Sequence, residues 1–282
     1  MKTMVVGSRG MLGTELMQAL APHAPLGLDQ PELDITDSRA CEARVCEFCP
    51  DVIINAAALT DVDYCESHEA EALRVNGEGA GNLAAAARTV GAVIVYYSTD
   101  YVFDGIRDTG YLEEDAPNPL SVYGRSKLQG EERVRSLCPD HMILRTSWLF
   151  GRHGRNFIST IVNAARNGQA LRIVNDQRGS PTYAVDLAAR TRALVESGCR
   201  GTYHVTNNGT CTWYELALRS VECAHLAGTR LEPVSSSQFP RPAPRPAFSM
   251  LTNARMLREG FPPLRPWPEA VQDYVYSCLS AG

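Results

Sequence analysis

TMVVGSRGMLG, residues 3–13, decides the fold. A short strand-like segment, Thr3 to Val6, runs into Gly7, Gly10 and Gly13 at GxxGxxG spacing. A helical pattern follows from Met11 to Leu20 and stops before Pro22. Glycine at these positions permits a tight turn, brings backbone close to a phosphate and packs the helix against the sheet. The helix N-terminus then offers unpaired N–H groups and the positive end of its dipole to an anion. This strand–loop–helix order predicts a dinucleotide site with contacts from Gly7, Arg9, Gly10, Met11, Leu12 and Gly13.

Outward from that loop, Leu26–Leu28 reads as a second strand and delivers Asp29, 22 residues after Gly7. An acidic residue there suits the ribose hydroxyls of NAD, whereas Arg9 suits a 2′-phosphate. The two pull in opposite directions, so NADH and NADPH both stay open. Asp34 and Ile35 in LDITD, and Asn55, Ala56 and Ala57 after the strand DVIIN, are candidate adenine and ribose neighbours. Asp34 reads equally as a helix cap.

The apolar runs recur with helical stretches between them. Helices are predicted over Ser38–Cys49, over Glu69–Thr89 as one long element, and over Tyr123–Leu137. Strands are predicted at 51–55, 92–97 and 142–144. Such alternation implies parallel βαβ units with both faces covered and ligand loops along one edge. The expected class is α/β. Residues 1–150 form a Rossmann dinucleotide-binding domain to which about 168–200 return, and 151–282 are mainly a smaller, mixed substrate-binding region. Within the latter, helices at 157–167 and 185–196 flank a strand at 171–174. The Pro-rich run 235–249, carrying Arg241 and Arg245, reads as an anchored loop over a site.

Composition narrows the classes. With 44% apolar and 21% charged residues the chain is globular. A formal net charge of −5 argues against a nucleic-acid partner, which needs concentrated basic surface. No membrane-length apolar run or signal peptide is visible, so the expected compartment is the cytoplasm. The nine cysteines include one CxxC, Cys46 and Cys49, without the second pair of a structural zinc site. Cys41, Val45, Phe48 and Cys49 instead share one helix face and read as core.

The chemistry points to carbonyl reduction. Tyr123 and Lys127 stand one helical turn apart, and Ser98 and Thr99 end the fourth strand. Reduction needs a hydride on carbon and a proton for the developing alkoxide. Tyr123 can supply the proton, Lys127 can pull the phenol pKa toward neutrality and hold the nicotinamide ribose, and Thr99 can hydrogen-bond the carbonyl oxygen. No arrangement suggests a covalent Cys or Ser route, and the histidines, His204 included, lack metal-ligand spacing.

Longer motifs carry a resemblance: GSRGMLG at 7–13, LDITD at 33–37, PDVIINAAALTDVDYCE at 50–66, STDYVFDG at 98–105 and YGRSKLQGE at 123–131. They continue with LRTSWLFG at 144–151, NDQRGSPT at 175–182, GTYHVTNNGTCTW at 201–213 and FPRPAPRPAFSML at 239–251. On these the chain resembles, nearly end to end, the dTDP-4-dehydrorhamnose reductase family of extended short-chain dehydrogenases. The resemblance implies Thr99, Tyr123 and Lys127 as the catalytic set and Trp148 as a platform for the sugar ring. It also implies NAD(P)H as reductant and a dTDP-linked 4-keto-6-deoxysugar as substrate. Thr60, Asp61, Asp100, Tyr101, Asn156, Gln177 and Arg245 become candidates for the sugar-nucleotide side. Asn156 reads equally as a helix cap and Gln177 as a loop-ordering residue. Some members use Mg²⁺ in dimerisation through a Glu where this chain has Glu15, so Mg²⁺ and a homodimer are expectations, with a solvated Glu15 as the competing reading. The alternatives are another nucleotide-sugar reductase or epimerase, and a noncatalytic NAD(P)-binding regulatory subunit on the same fold.

Overall fold

The computed structural model describes residues 1–279. Its centre is a six-stranded parallel sheet: β1 (Thr3–Val6), β2 (Leu26–Leu28), β3 (Val52–Asn55), β4 (Val93–Thr99), β5 (His141–Thr146) and β6 (Gly201–His204). The spatial order is β2-β1-β3-β4-β5-β6. Met4 pairs with Leu26 on one side and Ile53 on the other, so the winding reverses across β1 and β3. Ligands of open α/β sheets bind outside the strand ends at such a switch point. The loops arriving there are Gly7–Gly10 and Ala56–Leu59.

Period-two alternation fills both faces. Met4, Val6, Ile53, Ile94, Tyr96 and Ile143 point to one core, and Val5, Ile54, Val95, Tyr97, Met142 and Leu144 to the other. Helices Ser38–Phe48, Ala80–Thr89 and Val122–Leu137 cover the first face with Cys41, Val45, Leu83, Ala84 and Val134. Helices Met11–Ala19 and Ala184–Glu196 cover the second with Leu12, Leu16, Leu187 and Leu194. Full burial of each such Leu is worth about 1.5–3 kcal/mol.

The elements differ from the sequence reading in several places, among them strand Leu171–Val174, which does not return to the main sheet but pairs elsewhere. The long helix is interrupted by a π-helical stretch, Leu73–Gly79, between Glu69–Ala72 and Ala80–Thr89. There the buried Asn76 side chain accepts from Leu59 N at 2.8 Å and donates to Leu59 O at 2.9 Å, while its own carbonyl accepts the Tyr96 hydroxyl at 3.0 Å. A widened turn that redirects backbone groups therefore pins the loop after β3. Cys49 is not core: it caps helix Ser38–Phe48 at φ 48° and is exposed. The edge strand β6 leaves little trace in the sequence, because Gly201 and His204 dilute its apolar signal.

The second region is built from short pieces. Helices Phe157–Arg166, Trp213–Cys223 and Trp267–Tyr274 pack through Ile158, Val162, Leu216, Val271 and Tyr274. Leu171–Val174 pairs in parallel with Leu231–Val234, away from the main sheet. Among the described residues no helix is long and apolar enough to cross a membrane.

Candidate active site

Gly7 and Gly13 leave no room for side chains. Gly7 has φ +80°, and a Cβ there would lie 2.5 Å from Ala57 N; at Gly13 it would lie 1.9 Å from Gly7 O. The loop hangs from β2 through Gly7 N and Ser8 N, both donating to Leu28 O at 2.9 and 3.1 Å. Gly10 gives helix Met11–Ala19 no side-chain cap. Its first-turn N–H groups therefore remain for an anion in the adjoining cavity. This bare cradle fits a dinucleotide pyrophosphate.

Two cavities meet at that loop. The first, about 340 Å³, is lined by Gly7, Gly10, Asp29, Asp34, Ile35, Ala56 and Ala57, with Gln30, Thr36 and Val75 added to the expected set. Asp29 accepts from Arg9 N through Oδ2 and from Gln30 N through Oδ1, both at 3.0 Å. The Arg9 guanidinium is turned away, paired with Glu32 and donating to Gln30 O at 3.2 Å. Asp34 folds a turn by accepting from Thr36 N and Thr36 Oγ1 at 2.9 and 2.8 Å; the helix cap is Asp37. Asn55 stands behind the cavity wall and braces Ala57 N at 3.1 Å.

The second cavity, about 460 Å³, collects Gly10–Gly13, Thr60, Ser98, Thr99, Asp100, Tyr101, Tyr123, Lys127 and Trp148. Parallel pairing of β4 with β5 brings Thr99 beside Thr146. The buried Thr146 Oγ1, without a hydrogen-bond partner, lines the same space. Thr99 Oγ1 donates to Asp100 Oδ1 at 3.0 Å and accepts from Tyr101 N at 3.2 Å. Tyr123 meets the Tyr101 ring edge-on at a centroid distance of 5.7 Å. One turn further, Lys127 Nζ sits 4.2 Å from the Tyr96 ring centre. Another turn on, the buried Glu131 takes Arg145 Nε and Nη2 at 2.8 and 2.7 Å.

Burial governs the protonation states. It pushes the Tyr123 phenol above its usual range, with the neighbouring Thr99 hydroxyl only partly opposing. This departs from the expectation that Lys127 draws that phenol toward neutrality: loss of hydration outweighs any such pull, and Tyr123 keeps its proton. Burial also pushes the Lys127 ammonium down to about 7, against the pull of Glu131. Asp100 is pushed up to about 7 by burial, opposed by Ser249 and Thr99.

Trp148 holds φ 46° and stacks on Trp213 with ring centroids 3.5 Å apart and planes 7° from parallel. Gly179 makes this possible, since a Cβ there would lie 2.4 Å from the Trp148 ring. Trp213 and Tyr101 also line a third cavity of about 470 Å³ with Gln177, Arg172, Arg241 and Arg245. Arg245 reaches Asp63 through both terminal nitrogens at 3.0 Å.

Several candidates fall elsewhere. Asn156 lines none of these cavities; it caps helix Phe157–Arg166 in a reciprocal box with Ser159 and donates to Gly151 O and Tyr274 Oη, each at 2.9 Å. Asp61 is exposed and caps helix Val62–Ser67 by accepting from Tyr64 N at 3.0 Å. Glu15 is not solvated but 7% exposed, with His153 Nε2 3.9 Å away. Among the described residues no group of three His, Cys, Asp or Glu could hold a metal. Glu15 alone does not fit Mg²⁺, which needs several oxygen ligands. Sequence reasoning missed Arg155, Arg172 and the lining role of Trp213. Only the last had a signal, its place in a quoted motif.

The chain matches the family described as RmlD substrate binding domain over residues 1–279. It is 40% identical to the dTDP-4-dehydrorhamnose reductase of Streptomyces griseus, over 99% of this chain and 95% of that one. The crystal structure of a dTDP-4-dehydrorhamnose reductase from Clostridium acetobutylicum superposes with a TM-score of 0.95 at 39% identity, covering 98% and 99% of the two chains. That of the Bacillus anthracis enzyme in complex with NADP gives 0.93 at 37% identity, covering 98% and 100%. The chain is an NAD(P)H-dependent oxidoreductase and belongs to the dTDP-4-dehydrorhamnose reductase family.

Proposed function

We propose that this protein reduces the C4 keto group of dTDP-4-dehydro-β-L-rhamnose with NAD(P)H to give dTDP-L-rhamnose. The observation that carries this reading is the convergence of Thr99, Tyr123 and Lys127 on one cavity between the glycine cradle and Trp148. A reduced nicotinamide, when bound, supplies the hydride. Tyr123, kept protonated by burial, donates its proton to the oxygen that becomes an alkoxide. Lys127 stabilises the phenolate left behind and binds the cofactor ribose. Thr99 adds a second hydrogen bond to the same oxygen, and Trp148 presents its face to the sugar. Cofactor binding belongs to residues 1–150 and sugar-nucleotide binding mainly to 151–282, with Thr60, Tyr101, Gln177 and Arg245 on the nucleotide side. Arg172, Arg241 and Arg245 give the third cavity the positive charge a diphosphate needs.

NADH is the favoured reductant. Asp29 lines the first cavity, and Glu32 occupies the guanidinium that would otherwise meet a 2′-phosphate. Because the pair is exposed, Glu32→Ala shifts the NADH-to-NADPH ratio of Kd toward NADPH by up to about five-fold. Fluorescence titration reads this without substrate, and an unchanged ratio would refute the role of Glu32. The reaction itself is tested by following NAD(P)H absorbance with the 4-keto substrate and identifying the product. Intact cofactor binding without turnover would favour a regulatory subunit.

A further inference from the structure

The Pro-rich run 239–251 lines the third cavity through Phe239, Arg241 and Arg245, and three of its fastenings bear on the site. Arg245 grips Asp63 beyond β3. Arg178 N donates to Ala247 O at 2.8 Å, and Ser249 N donates to Arg178 O at 2.8 Å, one residue before the Gly179 that carries Trp148. The third fastening lies inside: Ser249 Oγ donates to Asp100 Oδ2 at 2.5 Å, and both residues are 2% exposed or less.

This last bond bears on Thr99. A hydroxyl has one proton to give, and Thr99 spends its proton on the other Asp100 oxygen. Its oxygen also accepts Tyr101 N–H. In this arrangement Thr99 meets the cavity as an acceptor only, whereas a ketone oxygen needs donors. A neutral Asp100 reverses the direction. Its carboxyl proton donates to Thr99 Oγ1, the Thr99 proton turns into the cavity, and Ser249 still donates to the other carboxyl oxygen.

We propose that Ser249 and Asp100 are a positioning pair that sets which way the Thr99 hydroxyl proton points, tying the Pro-rich strap to the reacting carbonyl. The inference rests on the reductase reading above. Loss of hydration pushes the Asp100 carboxyl up to about 7, and Ser249 and Thr99 oppose that push, so both forms are accessible near neutrality. The titratable groups facing Asp100 are Tyr101 from its own loop and Tyr123 from helix Val122–Leu137. Both phenols are raised by burial and stay neutral here. Lys127 shares the cavity and contributes its own pH dependence.

Ser249→Ala and Asp100→Asn test this in the full chain. Dividing the kcat of each variant by that of the wild type at each pH cancels the Lys127 contribution, which all three share. Asn at 100 donates permanently to Thr99 through its amide, so the Asp100→Asn ratio rises about tenfold from pH 6 to pH 8 as the wild type loses its neutral carboxyl. Ser249→Ala removes a bond that favours the ionised form, so its ratio rises in the same direction by a smaller factor. Independently of turnover, the carbonyl stretch of protonated Asp100, taken as the infrared difference between wild type and Asp100→Asn, persists to higher pH when Ser249 is Ala. Ratios flat with pH, or a carboxyl that titrates identically with and without the Ser249 hydroxyl, would overturn the pair. A wild type inert toward every dTDP-4-keto sugar would overturn the reductase reading instead, and the infrared titration would still judge Ser249.

Discussion

The two sides of the central cavity are made differently. On the sheet side, Thr99 ends a strand, Tyr123 and Lys127 lie one turn apart on a helix, and the glycine cradle links β1 to a helix. Position there follows from periodicity, and each reacting group rests on a regular element. On the opposite side, Trp148 sits in left-handed backbone and Gln177 in a loop, while Arg245 lies in a Pro-rich strap. These are held by individual contacts: an aromatic stack, an Arg–Asp pair and one buried serine hydroxyl. The contrast suits the division of work. Proton transfer demands fixed geometry, whereas recognition of a large anionic substrate can be spread over several adjustable contacts.

Breaking the sheet side should cost most. Tyr123→Phe removes the proton donor and lowers kcat by about 10²–10⁴-fold with NADH affinity held within a factor of two. Stopped-flow turnover with a parallel fluorescence titration checks both. Arg145→Met removes two charged hydrogen bonds from the buried Glu131 carboxylate, leaving Arg135 as its ion-pair partner, and destabilises the fold by about 1.5–3 kcal/mol, read as a lower guanidinium midpoint. On the strap side, Arg245→Ala removes a charged, two-pronged anchor worth about 1.5–3 kcal/mol; it raises the substrate KM far more than it lowers kcat. The smallest effect separates structure from recognition. Asn156→Ala loses a helix cap and about 1 kcal/mol of stability, with KM unchanged; a KM rise would restore Asn156 to the substrate site.

Legibility followed the same division. GSRGMLG, the strand ending at Thr99 and the Tyr123–Lys127 spacing could be read because backbone period and steric need write themselves into local sequence. The Asn76 turn could not, since its cause is a distant loop that the side chain braces. Nor could β6, whose polar His204 is accommodated by burial beside Arg145 and a bond to Thr252 O at 3.2 Å. Resemblance points Asn156 and Asp61 toward the substrate, yet both residue types are strong helix caps and the structure uses them as caps. Arg172 lies in an ordinary strand, and only the pairing of Leu171–Val174 with Leu231–Val234 brings it to a cavity beside Phe239 and Arg241.

The most direct test of the account is a single-turnover experiment with NADH and dTDP-4-dehydro-β-L-rhamnose, run on the wild type and on Tyr123→Phe. One equivalent of NADH should be consumed per dTDP-L-rhamnose formed by the wild type, and the same burst should be slowed at least about a hundredfold in the variant. Full-speed reduction by Tyr123→Phe, or no reduction by a wild type that binds NADH, would contradict it.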